Sequence, residues 1–329
     1  MTISLFCLSL LAVTVSVTPP ETSTIPAGRN DIPSLTHALE STDATERARA
    51  AYRLGRIGSP AEAAIPALIR LLGDATPVDP RGYREGEHGG GGFWEEASPG
   101  KEAAVALAEI GMASFDPLIE ALTNEAWVAR MHSALALGLL ENRRAVEPLL
   151  ARLKDTEPRV REQSAWALGM IEDSRAVSGL VELLTDPEPQ VREQTAWALG
   201  MIEDNRAVDP LVRALDDREA QVREQVAWAL GMIEDSRAAE ALVAALGDDS
   251  PRVREQTAWA LGMIEHNSAV EGLSRSLADP EAKVRAQSAW ALGMIGDSRA
   301  MDALIQAMKD ESAKVRKQAI WAIGMISDH

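Results

Sequence analysis

The chain has 329 residues and a formal net charge of -17, with 50 Asp and Glu against 33 Lys and Arg. That balance opposes binding to a phosphate backbone or an anionic membrane surface, because nucleic-acid binders gather Lys and Arg on one face. The only cysteine is Cys7, inside an apolar opening stretch, so residues beyond it can form no disulfide of their own.

Residues 3 to 17 are apolar apart from scattered Ser and Thr. The run is short for a bilayer span and suits the core of a secretory signal, and Pro19 and Pro20 stop it. Residues 1–17 therefore read as a signal peptide, although no Lys or Arg precedes the run. The expectation is a periplasmic or secreted protein, with a membrane-anchored chain as the alternative. Residues 18–33, with four prolines among Thr and Ser, read as a linker. Helical patterning begins at Ser34 and defines a solenoid region over 34–329.

One interruption follows. Residues 73–100 hold an insertion with four consecutive glycines, which make a regular helix improbable. It reads as a flexible loop carrying Tyr83, His88, Phe93 and Trp94, either touching ligand or simply lying at the surface.

Beyond it the chain repeats itself. Trp166, Trp197, Trp228, Trp259, Trp290 and Trp321 are spaced 31 residues apart. A fixed period of this length marks a solenoid, whose units bury their apolar faces only by stacking. Each unit reads as a short helix, a turn and a second helix, and about nine such hairpins fit, starting near Ser34, Ile65, Phe115, Asn142, Asp173, Asp204, Asp235, Asn267 and Asp297. The fold class is thus all-α, a single elongated α-solenoid. In the unit from Val191 to Asp204, Val191, Thr195, Ala198, Leu199 and Ile202 share an arc of roughly 100° and form a core stripe. Gln190, Gln194, Trp197 and Met201 form a second stripe roughly 120° away. Core packing accounts for the first stripe and leaves the second to be explained.

The motif D-x-R-A-V-x-x-L-V-x-x-L-x-D followed by V-R-x-Q-x-A-x-A-L-G-x-I runs from about Asn142 to the end and, more weakly, from Ser34. In it the chain resembles the HEAT repeats, specifically the bacterial phycobilin-lyase-type HEAT-like variety. The resemblance implies that the second helices line a concave side whose outward positions meet partners. It also implies structural roles for two columns. Asp155, Asp186, Asp217, Asp248, Asp279 and Asp310 would pair with Arg161, Arg192, Arg223, Arg254, Arg285 and Arg316 between neighbouring repeats, each exposed pair contributing about 0 to 1 kcal/mol. Gly169, Gly200, Gly231, Gly262, Gly293 and Gly324 sit near the helix end, for close packing or for termination.

Two readings of the Trp column are open: packing in the crevice between adjacent second helices, or a ladder of aromatic platforms about every 10 Å along the groove. Aromatic rings, adaptable Met and hydrogen-bonding Gln together suit a peptide-binding surface. Its candidate residues are the six tryptophans with Gln163, Gln194, Gln225 and Gln256, Met170, Met201, Met232 and Met263, and Glu162, Glu193, Glu224 and Glu255. The glutamates give way to Ala286 and Lys317, so a basic or neutral extended segment suits the middle best.

No catalytic constellation is present. His37, His88, His132, His266 and His329 are scattered, His266 standing in a helix-cap column, and no metalloprotease, hydrolase-elbow or phosphate-loop pattern occurs. Methionines one repeat apart are too distant to share a copper ion. No cofactor or metal is expected. The function expected is a non-enzymatic scaffold that binds a protein or extended peptide along the Trp/Gln/Met surface. The alternatives are a bilin lyase or chaperone acting on phycobiliproteins, implied by the resemblance, and a structural or sensor module of a membrane-associated assembly. The last helix, with Ile320, Trp321, Ile323 and Met325 and no polar cap beyond, suggests end-to-end self-association.

Overall fold

A computed structural model describes residues 31–84 and 97–327. The leader, most of the linker, and His88, Phe93 and Trp94 of the insertion lie outside the described residues. Among the described residues eighteen α-helices form nine consecutive pairs. These are α1 (Ile32–Ala38) with α2 (Ala44–Ile57), α3 (Ile65–Leu71) with α4 (Pro99–Ile110), and α5 (Phe115–Ala121) with α6 (Trp127–Leu139). Next come α7 (Val146–Arg152) with α8 (Pro158–Ile171), α9 (Val177–Leu183) with α10 (Pro189–Ile202), and α11 (Val208–Ala214) with α12 (Ala220–Ile233). The last three are α13 (Ala239–Ala245) with α14 (Pro251–Ile264), α15 (Val270–Ser276) with α16 (Ala282–Ile295), and α17 (Met301–Ala307) with α18 (Ala313–Ser327). No strand occurs among the described residues beyond one isolated bridge, Val78 to Ala97.

Local chemistry sets each boundary. Asp204 caps as its position predicts, its carboxylate accepting the Arg206 amide at 2.9 Å, but it opens a 3-10 turn, Asn205–Ala207, ahead of α11. Asp173, Asp235 and Asp297 do the same, and His266 takes this place before α15. The first helix starts two residues before Ser34, because Asp31 supplies its cap and Pro33 suits its first turn.

Of the two roles expected for the glycine column, the structure shows close packing. The second helices α6, α8, α10, α12 and α14 are followed within two residues by Glu141, Glu172, Glu203, Glu234 and Glu265, all left-handed with φ between 49° and 54°. Glycines with positive φ take the corresponding place after α2 (Gly58, φ 71°), α4 (Gly111, φ 94°) and α16 (Gly296, φ 72°). The column of Gly169 and its equivalents lies inside the helices and serves packing. A Cβ on Gly169 would stand 2.9 Å from the Ala198 Cα of the next second helix, and Gly138, Gly200, Gly231, Gly262 and Gly293 are similarly crowded.

One continuous core results. Leu168, Leu180, Leu199, Leu211, Leu230 and Leu242 are fully buried, and every pair adds its own layer. Second helices of adjacent pairs pack extensively through Gly and Ala, whereas first helices touch one another sparsely. Closer approach on one side bends the stack toward it, so the second helices form its inner row.

The two ends differ. The Ala column that meets each preceding glycine becomes Arg53 in α2. At the other end Gly324 has nothing within 4 Å, and Ile305, Met308, Ile320 and Trp321 are exposed, Ile320 by 59%.

Candidate functional site: the inner helix face

On α10 the structure buries Val191, Thr195, Ala198 and Leu199 in the core and Arg192, Ala196 and Gly200 as well. Gln190 is left exposed, and Glu193, Gln194, Trp197 and Met201 are half-buried on the same open face. The pattern recurs with Glu162, Gln163, Trp166 and Met170 on α8, Glu224, Gln225, Trp228 and Met232 on α12, and Glu255, Gln256, Trp259 and Met263 on α14, all half-buried. Trp290 continues the row half-buried, and Trp321 ends it 38% exposed. The residues of the second stripe therefore come together along one surface.

Each indole is held by the repeat before it. A Cβ on Gly200 would come within 2.7 Å of Trp228 Cζ3, and the same relation joins Gly138 to Trp166, Gly169 to Trp197, Gly231 to Trp259, Gly262 to Trp290 and Gly293 to Trp321. The missing side chain admits the ring edge. The Trp column thus packs in the crevice between second helices, and each residue keeps part of its surface accessible.

Electrostatics single out the glutamates. Among the described residues the carboxylates of Glu162, Glu193, Glu224 and Glu255 make no hydrogen bond or salt bridge. Partial burial raises the Glu193 carboxyl above the usual range, and repulsion from Glu224 adds to it. Burial likewise raises Glu162 and Glu224, where Arg159 and Arg252 respectively pull the other way and Glu193 and Glu255 add repulsion. The Gln163 side-chain nitrogen is buried without a hydrogen-bond partner.

The Arg–Asp column differs from its expected exposed character. Arg192 donates to Asp217 through Nε at 2.6 Å and Nη2 at 2.8 Å, and through Nη1 to the Asp186 carbonyl at 2.8 Å. The side chains are 6% and 10% exposed. Equivalent forks join Arg130 to Asp155, Arg161 to Asp186, Arg223 to Asp248, Arg254 to Asp279 and Arg285 to Asp310. Each arginine therefore pairs with the aspartate of the following turn, and these are largely buried bidentate clamps, whose loss costs more than that of a surface pair. Arg316 has the turn contacts alone, to the carbonyls of Asp310 and Glu311.

A second tie was not foreseen. Arg175, Arg206, Arg237 and Arg299 bind the cap aspartate two residues before and donate to the carbonyl 32 residues back, as Arg206 does to Ser174 at 2.7 Å. The recurrent D-x-R spacing was its signal in the sequence.

The base of the insertion is ordered and closed, contrary to a wholly flexible loop. Tyr83 is buried, its hydroxyl donating to the buried Glu102 at 2.8 Å, and Arg84 pairs with the same carboxylate. Burial raises the Glu102 carboxyl, with Arg84 opposing. His132 is also buried, its Nδ1 2.7 Å from the Leu72 carbonyl, and burial lowers its pKa to about 4. These groups lock the loop to α4 and α6. Among the described residues no set of His, Cys, Asp and Glu is placed to hold a metal ion, and no helix is long and apolar enough to cross a membrane.

The family model described as HEAT repeats matches residues 100–168, 115–199, 146–230, 213–282 and 270–329. The chain belongs to the HEAT-repeat family. The PBS lyase HEAT-like repeat model matches residues 46–74 of this HEAT-repeat chain. No curated protein matches it. Among solved structures, an engineered protein is similar at 23% identity and TM-score 0.54, over 90% of this chain and 88% of that one. A chain of the Kap95:Nup1 complex is similar at 15% identity and TM-score 0.64, over 90% of this chain and 46% of that one. The complex of CpcE and CpcF of phycocyanin lyase from Nostoc sp. PCC7120 aligns at 23% identity with TM-score 0.37, over 94% and 99%. The likenesses to the engineered protein and to the Kap95:Nup1 chain concern fold, a solenoid of stacked helical pairs, and this chain spans under half of the latter.

Proposed function

We propose that this HEAT-repeat protein is an extracytoplasmic, non-enzymatic scaffold that holds another protein, or an extended segment of one, along the inner face of its second helices. The observation that carries the reading is the row of half-buried Trp, Gln, Met and Glu repeated on consecutive second helices, left over after the core has been accounted for. Half-buried indoles offer large contact area on rings already fixed by their neighbours, so little side-chain entropy is lost on binding. The extracytoplasmic location rests on the apolar run over residues 3 to 17.

The test places a photo-crosslinking residue at Gln194 or Gln225 on the inner row and at Arg213 or Glu240 on exposed first helices. Expressed in the native envelope, the inner positions should capture one recurring protein and the outer positions none. Capture only from the outer positions would overturn the reading.

A further inference from the structure

Glu193 and Trp197 stand four residues apart on α10, as do Glu162 and Trp166 on α8, Glu224 and Trp228 on α12, and Glu255 and Trp259 on α14. Residues at this helical spacing are neighbours on one face, about 5–6 Å apart at their Cβ atoms. Each of four successive repeats therefore presents a carboxylate beside an indole, and no salt bridge satisfies these carboxylates. The next two repeats break the pairing, with Ala286 before Trp290 and Lys317 before Trp321.

We propose that this inner row binds an extended, cationic segment of a partner protein carrying an Arg or Lys at every third residue over four consecutive triplets. The inference rests on the docking role given above to the inner row and adds the chemistry and register of its occupant.

Two matches carry it. The first is charge. A guanidinium or ammonium group beside each carboxylate would lie within reach of the indole, where carboxylate and ring both attract it. The chain already contains such a pairing, with the Arg159 guanidinium 6.0 Å from the Trp127 ring centroid. Arg159 and Arg252 act on the row at Glu162 and Glu224, while Glu193, between them, answers only to another glutamate. Repulsion along the row is relieved when cations occupy it. The second match is length. Second helices that touch through Gly and Ala sit about 8–10 Å apart. Three residues of extended or polyproline chain advance about 9–10 Å. One cation per triplet thus stays in step with one Glu–Trp pair per repeat, whereas contiguous cations do not. A helical occupant advances about 1.5 Å per residue and keeps no such register.

Binding of two twelve-residue peptides of the same composition to the full chain decides the matter. One is acetyl-(Arg-Pro-Thr)4-amide, whose prolines favour an extended backbone; the other has four Arg in one block followed by (Pro-Thr)4. Calorimetry should show the spaced peptide binding about tenfold tighter, the worth of roughly one charge-assisted contact. The double variant Glu193→Gln/Glu224→Gln, of unchanged helical content, should abolish the difference, and Glu182→Gln on the exposed side of α9 should leave it. Equal binding of the two peptides, failure of the spaced peptide to bind, or a difference that survives the double variant would each overturn the proposal. If the spaced peptide fails while crosslinks still form at Gln194, only the register and charge of the occupant are wrong. If crosslinks form solely from the outer helices, the docking role falls as well.

Discussion

A missing side chain at Gly200 fixes where Trp228 lies, and this is the smallest unit of the fold. Gly200→Ala would drive a methyl group into Trp228 Cζ3 at 2.7 Å and the Ala229 Cα at 2.9 Å. Backbone cannot yield as a flexible side chain does, so a loss of about 1–3 kcal/mol is expected. Gly324 occupies the same column with nothing within 4 Å and lies inside α18. There the same change should stabilise by about 0.5–1 kcal/mol through helix propensity alone. Thermal melts of the two variants would therefore move in opposite directions, and a common direction would contradict the socket. The same geometry explains why truncating a tryptophan is a poor probe of binding. Trp197→Ala opens a void beside Gly169 as well as removing contact surface, so stability and capture fall together.

At the scale of the helix pair, the clamp from one arginine to the following turn sets the stacking. Burial acts to raise the Asp217 carboxyl, but the hydrogen bonds from Arg192 and the Glu219 amide outweigh it and hold the group below the usual range. A depressed carboxylate contributes stability that is present above its unfolded pKa and is lost as pH falls through the folded one. Asp217→Asn leaves Arg192 buried and uncompensated, and a loss of about 3 kcal/mol is expected in urea unfolding. Asp209, 69% exposed at its pair with Arg237, should cost under about 0.5 kcal/mol when changed to Asn. Equal losses at the two sites would show that the clamp is no stronger than a surface pair. The pairing itself was legible in the sequence, because both columns keep the 31-residue period. Its burial was not, since nothing in a turn aspartate reveals that the next repeat will cover it. Helix ends were less legible for a related reason. Glycine is the usual left-handed residue, yet five glutamates take that conformation, and no pattern in the sequence announces a strained glutamate. Nor could the period reach Tyr83, Glu102 and His132, whose burial depends on how a single, unrepeated insertion folds back onto α4 and α6.

Over the whole molecule the period did most of the work, since nine stacked pairs, one core and one inner row all follow from it. The candidate surface was legible because residues spared by the core stripe must lie on another face of the same helix. The wedging of each ring edge against a glycine of the preceding repeat was not, as it depends on contacts 28 residues apart that only stacking creates. The two ends were also unequal in a way the repeat itself does not state. Arg53 stands in α2 at the position where stacking elsewhere uses Ala, while Ile320 and Trp321 are exposed in the last helix. The central claim is that the indoles of the inner row are contact surface as well as packing. It is tested most directly by fluorine NMR of the full chain labelled with 5-fluorotryptophan, each resonance assigned by single Trp→Phe replacement, with the crosslinked partner added in its native form. The resonances of Trp197, Trp228 and Trp259 should shift together on binding; a complex that forms with all three unmoved would contradict the claim.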